Sequence, residues 1–256
     1  MRNKIAKTML VFCAALVILT GAAMIIVLSS YSAGSQAYNR LQIYISTPPT
    51  NPVSVDSYSG PPAPICDTPD LPVVDFDALR KINPDVIGWI HIPGTNIDYP
   101  IMHGRDNTYY LRHLMDGSWN RCGSIFMDYR SDPDLADPVT LIHGHNMLNG
   151  TMFQDLEKFK SQEFMAEHPY GYILTPSGNY KIQFFAGCLI SVSSDLWRIK
   201  FIDSRDFLSW INRCIAAASV TGNTMPTETD RIVVLSTCSY EFSDARWMVN
   251  GILSPI

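Results

Sequence analysis

The stretch Arg231-Ile232-Val233-Val234-Leu235-Ser236-Thr237-Cys238 is an apolar run of strand length that ends on a cysteine. Arg246, eight residues on, opens a second run, Arg246-Trp247-Met248-Val249-Asn250-Gly251-Ile252-Leu253. Short runs rich in β-branched and aromatic residues read as strands. If the two strands are adjacent, the seven residues between them form a loop that brings sulfur and guanidinium side by side at a rim. A thiol with a pKa of ~8.5 is mostly protonated at neutral pH, so a working thiolate needs a cation or a base beside it. Arg246 can supply the cation, and the upstream cluster His143-Gly144-His145-Asn146 can supply the base.

Further strands are expected at Val86 to Ile92, Ile97 to Ile101, Gly123 to Asp128, Pro138 to Ile142, Tyr170 to Thr175 and Tyr180 to Ser191. Pro93-Gly94 and Pro176-Ser177-Gly178-Asn179 supply turns between them. Helical spacing appears in three places: Phe76, Leu79 and Ile82 in a segment ending at Asn83-Pro84, Thr151 to His168, and Ser204 to Val220. Many short strands with inserted helices predict a mainly β fold with added helices, a barrel or a sandwich.

Met9 to Leu28 carries no charge, and at ~1.5 Å per residue it is long enough for a hydrocarbon core of roughly 30 Å. Arg2, Lys4 and Lys7 precede it and no acidic residue occurs before Asp56, which predicts a cytoplasmic N-terminus and an exported remainder in a single-pass membrane protein. A cleaved signal peptide is the alternative, with small residues at Ser32-Ala33-Gly34 and Ser35-Gln36-Ala37, but the apolar run is long for a signal. Residues 31–72 are rich in Ser, Pro, Thr, Gly and Asn and are expected to form a stalk. A flexible coil of forty residues would span about 35 Å. The expected organisation is therefore a cytoplasmic tip and anchor at 1–30, a stalk at 31–72 and a folded domain at 73–256.

The 256 residues are 46% hydrophobic and 17% charged, with net charge −5 and no basic stripe, so the chain lacks the electrostatic footprint of a nucleic-acid binder. Small or peptidic partners fit better. Six cysteines, at 13, 66, 122, 188, 214 and 238, show no C-x-x-C pair and no metal-ligand spacing, and Cys122, Cys188 and Cys214 read as small apolar fillers. Taken alone, a strand cysteine is more often a core filler and an arginine a solvated charge. Their combination with a histidine on an exported domain points to acyl transfer at the cell surface.

These residues also carry a family resemblance. Leu235-Ser236-Thr237-Cys238 with Arg246, Gly144-His145-Asn146-Met147, Val86-Ile87-Gly88-Trp89-Ile90 with Ile92-Pro93-Gly94-Thr95, Gly123-Ser124-Ile125-Phe126-Met127-Asp128-Tyr129-Arg130 and Thr151-Met152-Phe153 stand in the order found in the sortases, class B most closely. The resemblance covers about residues 74–254. It implies an eight-stranded sortase β-barrel with an N-terminal helix and a helix before the cysteine strand. It also implies a cysteine transpeptidase of Gram-positive bacteria that cleaves a C-terminal sorting motif after Thr. A thioacyl-enzyme would pass the protein to a cell-wall peptide amine or a lipid-linked precursor.

By the same resemblance Cys238 is the nucleophile, His145 the general acid and later base, and Arg246 the oxyanion cation. Asn107, Leu111, Ser236 and Thr237 would line the motif groove, and Tyr240, in the loop after the nucleophile, could contact substrate. No metal or other cofactor is implied. The sorting motif is expected to be of the asparagine-proline type, NPxTx. His143 stands where the family often has tyrosine and competes with His145 for the acid role, while Gly144 and Asn146-Met147 favour His145. The alternatives are a peptidase that only hydrolyses the motif, a pilus-type enzyme joining protein subunits, and a non-catalytic binding module.

Overall fold

The computed structural model describes residues 2–46 and 71–256. Helix α1 (Arg2–Leu41) is followed by a 3-10 turn at Gln42–Tyr44 and strand β1 (Ile45–Ser46), which pairs antiparallel with β2 (Val73–Val74). Asp75 caps α2 (Phe76–Ile82) by accepting a hydrogen bond from the Ala78 amide. The main sheet then forms from β3 (Val86–His91), β4 (Asp98–His103), β5 (Ile125–Met127), β6 (Val139–His143), β7 (Tyr170–Thr175) and β8 (Gly178–Ser191). Helix α3 (Gln162–Glu167) precedes β7, and α4 (Ser204–Ala216) leads into β9 (Ala218–Thr221), β10 (Arg231–Cys238) and β11 (Ala245–Pro255).

The order β11-β10-β6-β5-β4-β3-β7-β8 closes through pairing of β11 with β8, giving the expected eight-stranded barrel. Closure removes the exposed sheet edges. β9 adds to the far half of β8 as a ninth strand. β6–β10 and β4–β5 are the parallel pairs, and the other neighbours run antiparallel.

Successive side chains of a strand point to opposite faces, and here both faces are buried on β6, β10 and β11. Val233, Leu235, Ile142 and Val249 join the barrel interior. Ile232, Val234, Val139, Leu141, Met248 and Ile252 face outward against Phe207, Trp210, Ile211 and Cys214 of α4. This two-sided burial explains why 232–235 reads as an unbroken apolar run instead of an alternating one.

Two expected helices end early. The segment expected as one helix at 151–168 is a 3-10 helix at Gln154–Lys160 and then α3, because Ser161 is extended and caps the second helix through its hydroxyl. The expected helix at 204–220 stops at Ala216, and its last residues form β9.

The expected stalk at 31–72 also differs in its first part, which continues α1 to Leu41. Along α1 the partly or fully buried positions include Val27, Ser30, Tyr31, Gly34, Tyr38 and Leu41, a stripe of helical period that begins inside the apolar run. Gly34 lies against Cys122, where a Cβ would come within 2.7 Å of the sulfur. The buried Tyr38 hydroxyl donates to the Gly123 carbonyl at 2.7 Å, and its ring meets Tyr99 edge-on at 5.3 Å. Residues 47–70 of the expected stalk lie outside the described residues. On either side of them Ser46 pairs with Val73 and Ile45 with Val74.

Trp210 is fully buried and its indole N–H donates to the Leu196 carbonyl at 3.0 Å. Trp210→Ala leaves a cavity under α4 and is expected to cost about 3–5 kcal/mol, read as a lowered urea midpoint.

Candidate active site

The outward-facing parity of β6, β10 and β11 continues beyond the cover of α4. In the register Ser236 lies opposite His143 on one side and Met248 on the other, and Cys238 lies directly opposite Arg246. Cross-strand partners share a face, so Leu141, His143, Ser236, Cys238 and Arg246 all reach the same side. They line an open groove of ≈ 310 Å³ together with Asn107, Leu111, Asp128, His145 and Trp197. The expected loop of seven residues thus brings sulfur and guanidinium into one cross-strand pair.

His145 lies two residues beyond His143, past the end of β6. Three hydrogen bonds carry the β6–β10 contact past the strand end. The Gly144 amide donates to Ser236 O at 3.1 Å, the Thr237 hydroxyl to Gly144 O at 2.9 Å, and the Asn146 side-chain amide to Cys238 O at 3.0 Å. Gly144 admits no side chain, since a Cβ would come within 2.4 Å of Ile125 and 2.7 Å of the Phe153 ring. The backbone carrying His145 is therefore fixed on both sides.

The His145 Nε2–H donates to the Leu111 carbonyl at 2.8 Å. Burial lowers the His145 pKa from its ordinary 6.5, the hydrogen bond to Leu111 raises it, and Arg112 and Arg246 lower it further. The net direction is down, toward the neutral imidazole. Cys238 and Arg246 are half-buried, whereas Cys122, Cys188 and Cys214 are buried. Burial pushes the Cys188 thiol up to about 12, which makes it a filler and not a nucleophile. Among the described residues Arg246 makes no ion pair; its one hydrogen bond goes to its neighbour's carbonyl at Ala245.

His143 has a different setting. Its Nε2 lies 3.6 Å from the buried Asp128 carboxylate, and its ring packs near Phe126 and Trp197. Burial would raise the Asp128 pKa, but hydrogen bonds from Arg130 and Asn107, with the His143 ring close by, outweigh it and hold the group well below the usual carboxylate range. Arg130 grips that carboxylate with two nitrogens at 2.8 and 2.9 Å.

Asn107 and Leu111 line the groove as expected, but Asn107 spends both ends of its amide, one on Asp128 at 2.9 Å and one accepting from the Tyr129 amide at 3.0 Å. Ser236 and Thr237 also line it, although the Thr237 hydroxyl is occupied by Gly144. Tyr240 lies outside the groove lining, exposed, with its hydroxyl donating to Asn146 O at 3.3 Å. Sequence reasoning gave no site role to Asp128, Arg130 or Trp197. Asp128 and Arg130 stood in a recognised motif, and a buried aspartate two residues before an arginine was the available signal. Nothing in the sequence marked Trp197.

Residues 90–174 match the family model described as the Sortase domain. Sortase B of Listeria monocytogenes is 36% identical over 177 residues, 68% of this chain and 71% of that protein. A Staphylococcus aureus sortase B–substrate complex superposes with a TM-score of 0.67 at 30% identity, covering 71% of this chain and 85% of that one. Sortase B of Bacillus anthracis, solved in complex with AAEK1, gives a TM-score of 0.73 at 26% identity over 90% of this chain and all of the other.

The environment of His145 predicts that its imidazole titrates below 6.5 and that Arg112→Gln moves the midpoint upward, as followed by NMR of the ring protons. A midpoint above 6.5 in the wild type contradicts the assignment. Thr237→Val keeps the shape but leaves the Gly144 carbonyl without its hydroxyl partner. It is expected to cost about 1–3 kcal/mol in chemical unfolding.

Proposed function

Because this chain belongs to the sortase family, in class B, and is thereby a sortase-type cysteine transpeptidase, we propose that it works from the outer face of the cell membrane. The apolar first half of α1 is the single-pass anchor, residues 73–256 are the catalytic domain, and the N-terminus is cytoplasmic. Its substrates are secreted proteins bearing a C-terminal NPxTx-like motif, and the acceptor is a cell-wall peptide amine. The observation that carries this reading is the cross-strand pair of Cys238 and Arg246 on the groove that His145 also lines.

In the reaction the Cys238 thiolate attacks the carbonyl carbon of the motif's Thr. The electron pair moves to the carbonyl oxygen, and the guanidinium of Arg246 stabilises that oxyanion. Collapse breaks the C–N bond, and His145 as imidazolium gives its proton to the departing amine, leaving a thioester on Cys238. The neutral His145 then takes a proton from the incoming amine as it attacks the thioester, and the thiolate departs. Since His145 is held toward its neutral form, the competent pair of thiolate and imidazolium is a minority state whose partners are matched to their tasks.

An NPxTx peptide incubated with an amine acceptor should give the amide of the Thr-terminated fragment by mass spectrometry, with a thioester on Cys238 trapped before acceptor is added. Free acid alone, with acceptor present, defeats transfer and leaves hydrolysis. Cys238→Ala should abolish cleavage with the unfolding curve unchanged. Arg246→Lys should lower kcat/KM on the order of 100-fold or more, since a point charge does not reproduce a planar two-pronged donor.

A further inference from the structure

The docking of α1 fixes where the barrel stands relative to the apolar run. That run ends at Leu28, yet the buried stripe of α1 already begins at Val27. Two residues past Leu28, the Asn120 side-chain amide donates to the Ser30 carbonyl at 3.1 Å. Tyr31 is partly buried in the same stripe, and the Asn149 amide donates to the Ser35 hydroxyl at 3.3 Å. At ~1.5 Å per residue, Ser30 and Tyr31 stand about 3–5 Å beyond the end of the apolar run. The headgroup layer beyond a hydrocarbon core of roughly 30 Å is about 5–8 Å deep on each side. The hairpin that touches α1 at Ser30 therefore falls within that layer if the run spans the bilayer.

The residues exposed on that hairpin suit that layer. Trp119 is 60% exposed beside Asn120. Arg112 and Arg121 flank Trp119 on the same hairpin, where Asn120 N donates to Arg112 O and Trp119 bridges His113, and both arginines are exposed. An exposed Trp beside two Arg matches the amphipathic environment of lipid headgroups, where aromatic rings concentrate and cations meet anionic lipids.

We propose that the rim formed by Arg112, Trp119 and Arg121 rests in the headgroup layer of the bilayer that α1 crosses, so that the groove holding Cys238 and His145 lies next to the lipid surface. The Leu111 carbonyl, beside Arg112 at the start of the hairpin, accepts from His145 Nε2 and links the rim to the site. Substrates held at the membrane then reach the groove without leaving it. This proposal rests on α1 being a membrane anchor.

The test reconstitutes the full chain in vesicles of phosphatidylcholine and phosphatidylglycerol whose acyl chains are brominated at successive depths. Flotation of the chain with the vesicles reports the anchor on its own. Trp119 fluorescence is expected to be quenched most strongly by bromines nearest the headgroups, and that part of the quenching should vanish in Trp119→Phe. A flexible Gly-Ser insertion between Leu28 and Ser29 should also abolish it, with cleavage of a soluble peptide retained. If the chain floats but Trp119 is equally unquenched by every lipid, the rim does not touch the bilayer and the proposal fails while the anchor stands. A chain that floats but whose Trp119 is shielded both from the brominated lipids and from aqueous iodide has its rim covered by protein, as by a second copy, and that also overturns the proposal. A chain that does not float refutes the anchor and the proposal with it.

Discussion

The parallel pairing of β6 with β10 governs the arrangement of the site. It places His143 opposite Ser236, and the hydrogen bonds from Gly144, Thr237 and Asn146 extend it two residues further, so that His145 leaves the sheet next to the end of β10. The antiparallel register with β11 then sets Arg246 across from Cys238. Neither register can slip by one residue, because each strand is buried on both faces. A slip would drive Ser236 and Cys238 into the barrel and push Val233 and Leu235 into the groove. Packing in the barrel and under α4 thus fixes chemistry at the strand ends.

Charge within the groove is divided between two regions. At one end Asp128 is saturated by Arg130, Asn107 and His143, which makes this a structural ion cluster that holds the groove wall. At the other end Arg246 has no carboxylate partner among the described residues, and its field acts on His145. The two histidines are thereby separated by environment. His143 lies beside the saturated acid, whereas His145 donates from Nε2 to a backbone carbonyl and its other ring nitrogen has no hydrogen-bond partner among the described residues.

Much of this arrangement was legible in the sequence because it rests on local patterns. The strands β7, β8, β10 and β11 lie within two residues of their expected bounds, and the pairing of Cys238 with Arg246 follows from two apolar runs and a short loop. What was illegible depends on distant contacts. Ser161 breaks an aromatic-rich segment whose spacing alone suggests one helix, and β9 forms only because β8 offers it an edge. Residues 31–41 look like a linker by composition, yet Gly34 and Tyr38 are the small and the anchoring residue of a docked helix face. Thr237 and Asn107 line the groove, and the internal hydrogen bonds by which their polar atoms also hold its frame depend on partners distant in the sequence.

The loop that joins β10 to β11 is itself braced by charge. Glu241 lies in that loop, and Glu157 reaches it from the 3-10 helix by accepting from the Ser239 hydroxyl. Lys160 engages both carboxylates and the Ser239 hydroxyl, and Ser239 in turn donates to Glu241. Burial would lower the Lys160 pKa, but the two glutamates outweigh it, so the ammonium persists where it is needed. Its charge also lies over the Trp247 ring, 5.5 Å from the centroid, one residue from Arg246. Removing Lys160 would leave both carboxylates and the Ser239 hydroxyl without the cation that joins them. The ordinary surface ion pair is worth little to stability. In this loop its consequence is different: the cluster of Lys160, Glu157, Glu241 and Ser239 ties the turn after Cys238 to the 3-10 helix and so braces the connection between the two strands that carry Cys238 and Arg246.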